Sequence, residues 1–476
     1  MHTIQNHFID GSWVPSVAVS STHPIVNPAT EELIGELHFG GTADVDKAVQ
    51  AARRAFPAFA SSALQSRVDL LKAILAEYEK RFDDLAQAVS AEMGAPLERI
   101  AKTAQVPIGM GHFQTAIALA DEIEWETRRG GALVSREAAG VCALITPWNW
   151  PLNQISCKVA PALLAGCTMV LKPSEYAALS GQIFGEIMEA AGVPPGVFNL
   201  VWGSGPEIGP HMASHPEVDV VSLTGSTAAG ASVSRSAADT IKRVSLELGG
   251  KSPNILLDDA PLEAAVTKGV MHLMNNSGQS CNAPSRMLVP ESRLAEVERL
   301  AVAALDNIKV GDPQDESTTT GPLANGRQFE RVQSLIERAE AEGAKKLVGG
   351  TGRPDGLDKG FFVKPTIFSV ADNKATIARQ EVFGPVLTLI PYRDEAHAIE
   401  MANDTEYGLA AYVYGGSIDR AKEVGRHIRA GQVLLNGAGP DLQAPFGGFK
   451  QSGVGREWGL AGVEEFTELR AILGVE

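Results

Sequence analysis

Apolar residues recur at three-to-four spacing across residues 43–92, at Val45, Ala48, Val49 and Ala52 and again at Leu70, Leu71, Ile74 and Leu75. That period predicts amphipathic helix. A second helical stretch is expected from Pro96 to about Asp121. Nearer the start, His7-Phe8-Ile9 and Trp13-Val14 flank Asp10-Gly11-Ser12, which reads as a hairpin, and Asn27-Pro28-Ala29-Thr30 reads as a turn. From residue 141 the pattern changes. Short apolar runs at 141–145, 168–171, 198–201 and 218–223 alternate with helical stretches at 153–164, 178–191, 206–213 and from Thr227, with Gly166 and Gly192 as helix stops. Such alternation predicts a parallel, doubly wound α/β sheet.

A second block, residues 249–431, repeats the scheme, with strands expected at 254–257, 286–289 and 386–390 and helices at 262–275, 294–305 and 327–342. Between the blocks, residues 122–137 are polar and extended, with Arg128-Arg129-Gly130-Gly131 as a turn. A ribbon of that kind suits an oligomer arm. After Phe446 the tail is glycine-rich, then helical, then ends in a strand at 469–475.

The length, 476 residues, allows two or three domains. A net charge of −16 argues against nucleic acid or an anionic membrane as partner. No apolar run approaches the ~20 residues of a membrane span, and the first residues lack the pattern of a signal peptide. Cys142, Cys157, Cys167 and Cys281 have no CxxC spacing, so no metal site is expected. The first three sit in apolar surroundings and read as reduced core thiols, which suits the cytoplasm.

Ligands of such sheets bind beyond the carboxyl ends of the strands. There the chain carries Thr146-Pro147-Trp148-Asn149-Trp150, Lys172-Pro173-Ser174-Glu175, Gly203-Ser204-Gly205-Pro206-Glu207-Ile208-Gly209 and Thr224-Gly225-Ser226-Thr227. Any one glycine run is more often a tight connection. Four at equivalent strand ends point to a ligand. A helix N-terminus behind Gly225-Ser226 offers free amides to a phosphate. Lys172 and Glu175 suit a ribose, and the carboxylate favours NAD over NADP. Gly249-Gly250-Lys251-Ser252 resembles the end of a phosphate loop, but Ser245 stands where that loop needs glycine, which excludes it. Glu247, between Leu246 and Leu248, is expected in an apolar setting that raises its pKa toward a general base; the bland alternative is a capping or hinge carboxylate. Cys281 lies in Asn275-Asn276-Ser277-Gly278-Gln279-Ser280-Cys281-Asn282-Ala283-Pro284. So small and polar a stretch suits a nucleophile, against the alternative of a structural cysteine.

Together with Glu381-Val382-Phe383-Gly384-Pro385 and Pro445-Phe446-Gly447-Gly448, these motifs resemble the aldehyde dehydrogenase superfamily over nearly the whole chain. The resemblance implies a Rossmann-type NAD-binding domain (1–121 and 141–248), a second α/β catalytic domain (249–431) and a small β arm (122–140 and 452–476) joining a homodimer or homotetramer. It implies Cys281 as nucleophile, Asn149 with the Cys281 amide as oxyanion hole, and Glu247 as the base that activates water. Lys172 and Glu175 would hold the adenine ribose, Ser226 the pyrophosphate, and Glu381 with Phe383 the nicotinamide end. Gln328 and Arg331 match a further cofactor-contacting stretch, and Ile145, Trp148, Ser174, Gly205, Gly209, Gly225 and Leu248 complete the set. Glu457 matches a carboxylate that relays protons from the base. A Cys281 thiolate would attack a small-molecule aldehyde, hydride would pass to NAD, and water would hydrolyse the thioester. Expected pocket walls are Phe113, Trp150, Gln154, Cys157 and Phe446. Gln154 and Cys157 are small or polar where relatives often carry larger apolar groups, and 436–444 lacks an aromatic. A widened tunnel and a bulky or ring-bearing aldehyde are therefore expected. The alternatives are a CoA-acylating enzyme, disfavoured by Glu247, and a non-catalytic member, disfavoured by Cys281 and Glu247 together.

Overall fold

The computed structural model describes residues 1–475. Its larger sheet has eight strands in the order Gly453–Val454, Arg243–Glu247, Val220–Thr224, Val141–Ile145, Thr168–Lys172, Phe198–Leu200, Asn6–Ile9 and Ser12–Pro15. The five central strands are parallel and both edges are antiparallel. The chain runs outward from Val141–Ile145 to Phe198–Leu200, then returns to build the other side from Val220–Thr224. The switch point therefore opens between Ile145 and Thr224, where a doubly wound sheet takes its ligand.

Alternation within each strand divides the core. Val141, Ala143 and Ile145 pack with Val45, Ala48, Val49, Ile208 and Met212 on one face. Cys142 and Leu144 pack with Leu71, Ile74, Leu152 and Val159 on the other. Both faces are covered by helices, which is why these strands read as unbroken apolar runs.

The second sheet has seven strands in the order Lys345–Val348, Thr366–Ser369, Val386–Tyr392, Arg286–Pro290, Pro253–Leu256, Ala410–Tyr414 and Gln432–Leu435. Only Lys345–Val348 is antiparallel to its neighbour. Four of its strands, Lys345–Val348, Thr366–Ser369, Ala410–Tyr414 and Gln432–Leu435, are not among those the residue pattern predicts, and the last lies beyond the expected boundary at 431. The ribbon forms as Glu126–Arg129 and Ala132–Ala138, and Thr467–Leu473 pairs along it from Ala138 to Ala132.

Other boundaries shift for local reasons. Residues 43–92 form three helices, Thr42–Ala60, Leu64–Lys80 and Phe82–Met93, separated at Ser61 and Arg81. The stretch after Pro96 opens with a wide turn in which the Ala101 amide reaches the Pro96 carbonyl at 3.0 Å. The turn at Asn27 joins strands Ser21–Val26 and Leu33–Phe39, whose period is obscured by histidines and Gly35. Not all of 452–476 belongs to the ribbon: Gly453–Val454 edges the larger sheet. Among the described residues no helix is long and apolar enough to cross a membrane, and no group of three or more His, Cys, Asp or Glu could hold a metal ion.

Candidate active site

A cavity of about 510 Å³ between the two sheets is lined by Trp148, Asn149, Thr224, Ser226, Glu247, Leu248, Cys281, Gln328, Arg331, Glu381 and Phe383, among others. It lies at the switch point. Asn149 follows the Val141–Ile145 strand, Glu247 ends the Arg243–Glu247 strand, and Cys281 sits in the connection from helix Leu262–Met274 to strand Arg286–Pro290. Three residues far apart in sequence thus face one cavity.

Left-handed backbone shapes the Cys281 loop. Asn276, Ser277 and Gly278 have φ of 52°, 57° and 72°. At Gly278 a methyl group would stand 2.2 Å from the Gly384 carbonyl oxygen, so only glycine fits. Side chains hold the loop from both sides. The Asn276 amide donates to the Asn149 carbonyl at 2.9 Å, Asn149 Nδ2 donates to the Gln279 carbonyl at 3.1 Å, and Gln279 Oε1 accepts from the Ala324 amide at 2.9 Å. An amide nitrogen carries two hydrogens, so Asn149 keeps one for a ligand beside Cys281.

Cys281 is partly exposed. Burial of its sulfur, then the charges of Glu381 and Glu247, push its thiol pKa up. Both effects oppose negative charge on the resting sulfur, so an attacking thiolate has to form against the field of its own cleft. Glu247 is buried, and neither carboxyl oxygen has a hydrogen-bond partner. Burial first, and the Glu457 carboxylate second, hold it well above the carboxylate range, as the apolar setting predicts. Glu381 is pushed up to about 7 by burial, against an opposing bond from the Gly250 amide at 3.0 Å.

Behind Glu247 lies a buried ionic cluster. Lys158 pairs with Glu457 and donates to Ser222 Oγ at 2.9 Å, and Cys157 Sγ donates to Glu457 Oε2 at 3.3 Å. Burial, the largest single effect, opposes the Lys158 charge, but Glu457, Cys157 and Glu247 together outweigh it and the ammonium is held above its ordinary pKa. Lys158 was not singled out in the sequence, where it sits within an apolar helical run.

Toward the other end of the cleft, Lys172 and Glu175 pair at 3.4 Å. Gly205 leaves open space beside Lys172 Nζ, and Gly209 faces Ile145. Ser174 and Ser226 cap their helices through Tyr176 and Ala229 amides at 3.3 and 3.2 Å. At the opposite end Phe383, in left-handed backbone, meets Trp148 edge to face at 5.6 Å. Gln328 and Arg331 line the cavity, yet their hydrogen bonds go to the carbonyls of 381–383 at 2.8–3.1 Å, so they hold that loop in place. The buried, unpartnered Thr224 Oγ1 and the open glycine edges fit an elongated polar ligand.

The expected substrate walls divide. Trp150 Nε1 donates to Ser280 Oγ at 2.8 Å, beside Cys281. Phe446 belongs to a cluster with Cys157, Leu409 and Trp458, against which Cys281 and Leu442 pack. Gln154 is buried with Oε1 unpartnered. Phe113 is not a wall: it is fully buried between the rings of Tyr78 and Phe184, at 6.5 and 6.3 Å. Its helix turns that side to the core. Cys157 is buried in that same cluster, where Trp458 stacks on Phe446 at 4.6 Å. Trp458 went unread in the sequence; its φ of 66° follows a tight tail turn that no residue pattern announces.

The aldehyde dehydrogenase family model matches residues 13–472. A 3-succinoylsemialdehyde-pyridine dehydrogenase from a Pseudomonas species is 54% identical over 476 residues, covering 100% of both chains. Among solved structures, a variant of aldehyde dehydrogenase C from Pseudomonas syringae, complexed with NAD+ and octanal, has 50% identity and a TM-score of 0.98, covering 100% of this chain and 99% of that one. An aldehyde dehydrogenase of Mycobacterium tuberculosis complexed with NAD+ has 39% identity and a TM-score of 0.96, covering 99% and 98%. With cysteine, amide and buried carboxyl gathered on one cleft, and with similarity running from end to end, the chain belongs to the aldehyde dehydrogenase family.

Proposed function

We propose that this NAD-dependent aldehyde dehydrogenase works through a thioester on Cys281, hydrolysed with Glu247 as base. The observation that carries the reading is the cleft shared by Cys281, Asn149 and Glu247. The sulfur passes its proton to water in the cleft and bonds to the aldehyde carbon, and the carbonyl electron pair moves to oxygen. Asn149 Nδ2 and the Cys281 amide receive that oxygen, a contact worth roughly 10²–10³ in rate. NAD, when bound, accepts the hydride that leaves carbon as the carbonyl re-forms. Glu247, unpartnered and with a raised pKa, then takes a proton from water. The water oxygen bonds to the acyl carbon, the C–S bond breaks, and the acid departs. Lys172, Glu175, Ser226, Glu381 and Phe383 would hold the dinucleotide, with Gln328 and Arg331 fixing the loop at its nicotinamide end. Glu457, paired with Lys158 behind Glu247, would carry protons onward.

The substrate is an aldehyde with a long or ring-bearing tail. The relative named for a pyridine semialdehyde and the octanal-bound neighbour support this, as do the aromatic surfaces of Trp150, Phe446 and Trp458 near Cys281. The ribbon strand exposes Leu469 and Leu473 at 64% and 79%, an edge suited to a second copy of the chain, and a homodimer or homotetramer in the cytoplasm is the expected form. Two measurements test the reading. Intact-protein mass after mixing Glu247→Gln with NAD and octanal should rise by one octanoyl group at Cys281; an unmodified mass throughout the burst refutes the thioester. Among acetaldehyde, octanal and a pyridyl semialdehyde, kcat/KM should favour the last two, and a clear acetaldehyde preference refutes the assignment.

A further inference from the structure

The cleft has a cation on its second-sheet wall that none of the roles above uses. Arg327 sits in the first turn of helix Gly326–Ala341, lines the cavity and is exposed at its mouth. Among the described residues it has no hydrogen-bond or ion-pair partner. Its neighbours differ. Arg331 is tied to the Glu381 carbonyl and Gln328 to the carbonyls of Val382 and Phe383. Lys172, at the end of strand Thr168–Lys172, is paired with Glu175. Arg327 is therefore the cleft's uncommitted guanidinium.

Its position along the cleft is set by what stands around it. Tyr176, next to Glu175, is near enough that the Arg327 charge opposes the rise of its phenol pKa. Gln328, the next residue, reaches the loop of Glu381 and Phe383. Arg327 thus lies between the ribose-holding pair and the nicotinamide-holding loop. Gly225 and Ser226, ahead of helix Thr227–Ala237, line the same cavity from the first sheet. A dinucleotide spanning those two ends carries its diphosphate in the middle. The surroundings are otherwise unfavourable to an anion, since Glu247 and Glu381 line the cavity with it and the chain bears −16 overall.

We propose that Arg327 closes over the cofactor's diphosphate from the second-sheet side, opposite the Ser226 helix end, and so makes cofactor grip depend on both halves of the molecule. The proposal rests on reading the cleft as a dinucleotide site. Guanidinium suits the task because its planar fork can meet two phosphate oxygens at once, which an ammonium cannot.

Equilibrium binding to the full-length protein, followed by calorimetry, tests it without turnover, so failure here is separate from failure of the thioester chemistry. The probes are NAD, NADP, ADP and adenosine, with Arg327→Ala and Arg327→Lys. Arg327→Ala should weaken NAD and ADP by the same factor, about tenfold, as expected for losing a hydrogen bond to a charged group. Adenosine, which lacks phosphate, should bind both proteins alike. Arg327→Lys should recover part of the loss, and the difference should shrink as salt rises. Unchanged ADP and NAD affinity overturns the proposal. So does an equal loss for adenosine, which would mark a structural role, and so does a loss confined to NADP, which would place the guanidinium on a ribose phosphate.

Discussion

Replacing Glu247 by glutamine separates the two halves of the reaction. The carboxyl is 2% exposed, neither oxygen is hydrogen-bonded, and its proton is held well above the usual range by burial and by Glu457. Glutamine matches its shape, cannot accept a proton, and cannot carry charge. Acyl transfer to Cys281 should survive, and hydrolysis should slow by the ~10²–10⁴ that a positioned base contributes. Stopped-flow absorbance at 340 nm should show a burst near one NADH per site followed by slow turnover. Stability adds a second readout. A carboxyl whose folded pKa lies above its unfolded value binds its proton more tightly when folded. Its favourable effect is complete below the unfolded pKa and is lost as pH rises through the folded one, at about 1.4 kcal/mol per unit of separation. Glu247→Gln should therefore flatten the decline of unfolding free energy as pH rises above the ordinary carboxylate range, and leave the protein no less stable at neutral pH. A variant without the burst would show that Glu247 also deprotonates Cys281, and a variant less stable at pH 8 would refute the buried, unsatisfied charge.

Asn149→Ala should lower the burst rate itself by about 10²–10³, with steady-state turnover falling in parallel, and a normal burst would remove Asn149 from the oxyanion site. Alkylation of cofactor-free protein by iodoacetamide should be slow at pH 7 and still rising above pH 9, because burial and two carboxylates raise the Cys281 thiol; a plateau below pH 8 would contradict that. Lys158→Met leaves Glu457 buried without its cation and should cost about 3–5 kcal/mol in denaturant unfolding, with Lys158→Met combined with Glu457→Leu recovering much of it. An additive double variant would show that the pair is not coupled.

Local pattern determined much of this protein. The apolar runs at 141–145 and 168–171 had to become buried parallel strands, since both neighbouring residue sets need helical cover. The glycine and serine after Thr224 had to open a helix, and the small polar residues around Cys281 could not be core. These are properties of neighbours a few residues apart, and a single chain displays them directly. The strand Arg243–Glu247 was harder to see because alternate positions are polar, half-buried at one end and fully buried as Glu247 at the other.

Tertiary structure decided what depends on distance through space. Resemblance named Cys281, Glu247 and Asn149 together, but only the folding of two sheets against each other puts them on one cavity. Phe113 and Cys157 look alike as pocket candidates in the sequence, yet helix rotation sends one ring into the core and the tail brings Trp458 over the other. Lys158 becomes an ion-pair partner only because a tail residue 299 positions away reaches it. The upward push on the Cys281 thiol pKa was likewise not legible, because it follows from burial and from carboxylates contributed by distant strands and loops, and those fields exist only once the chain has closed.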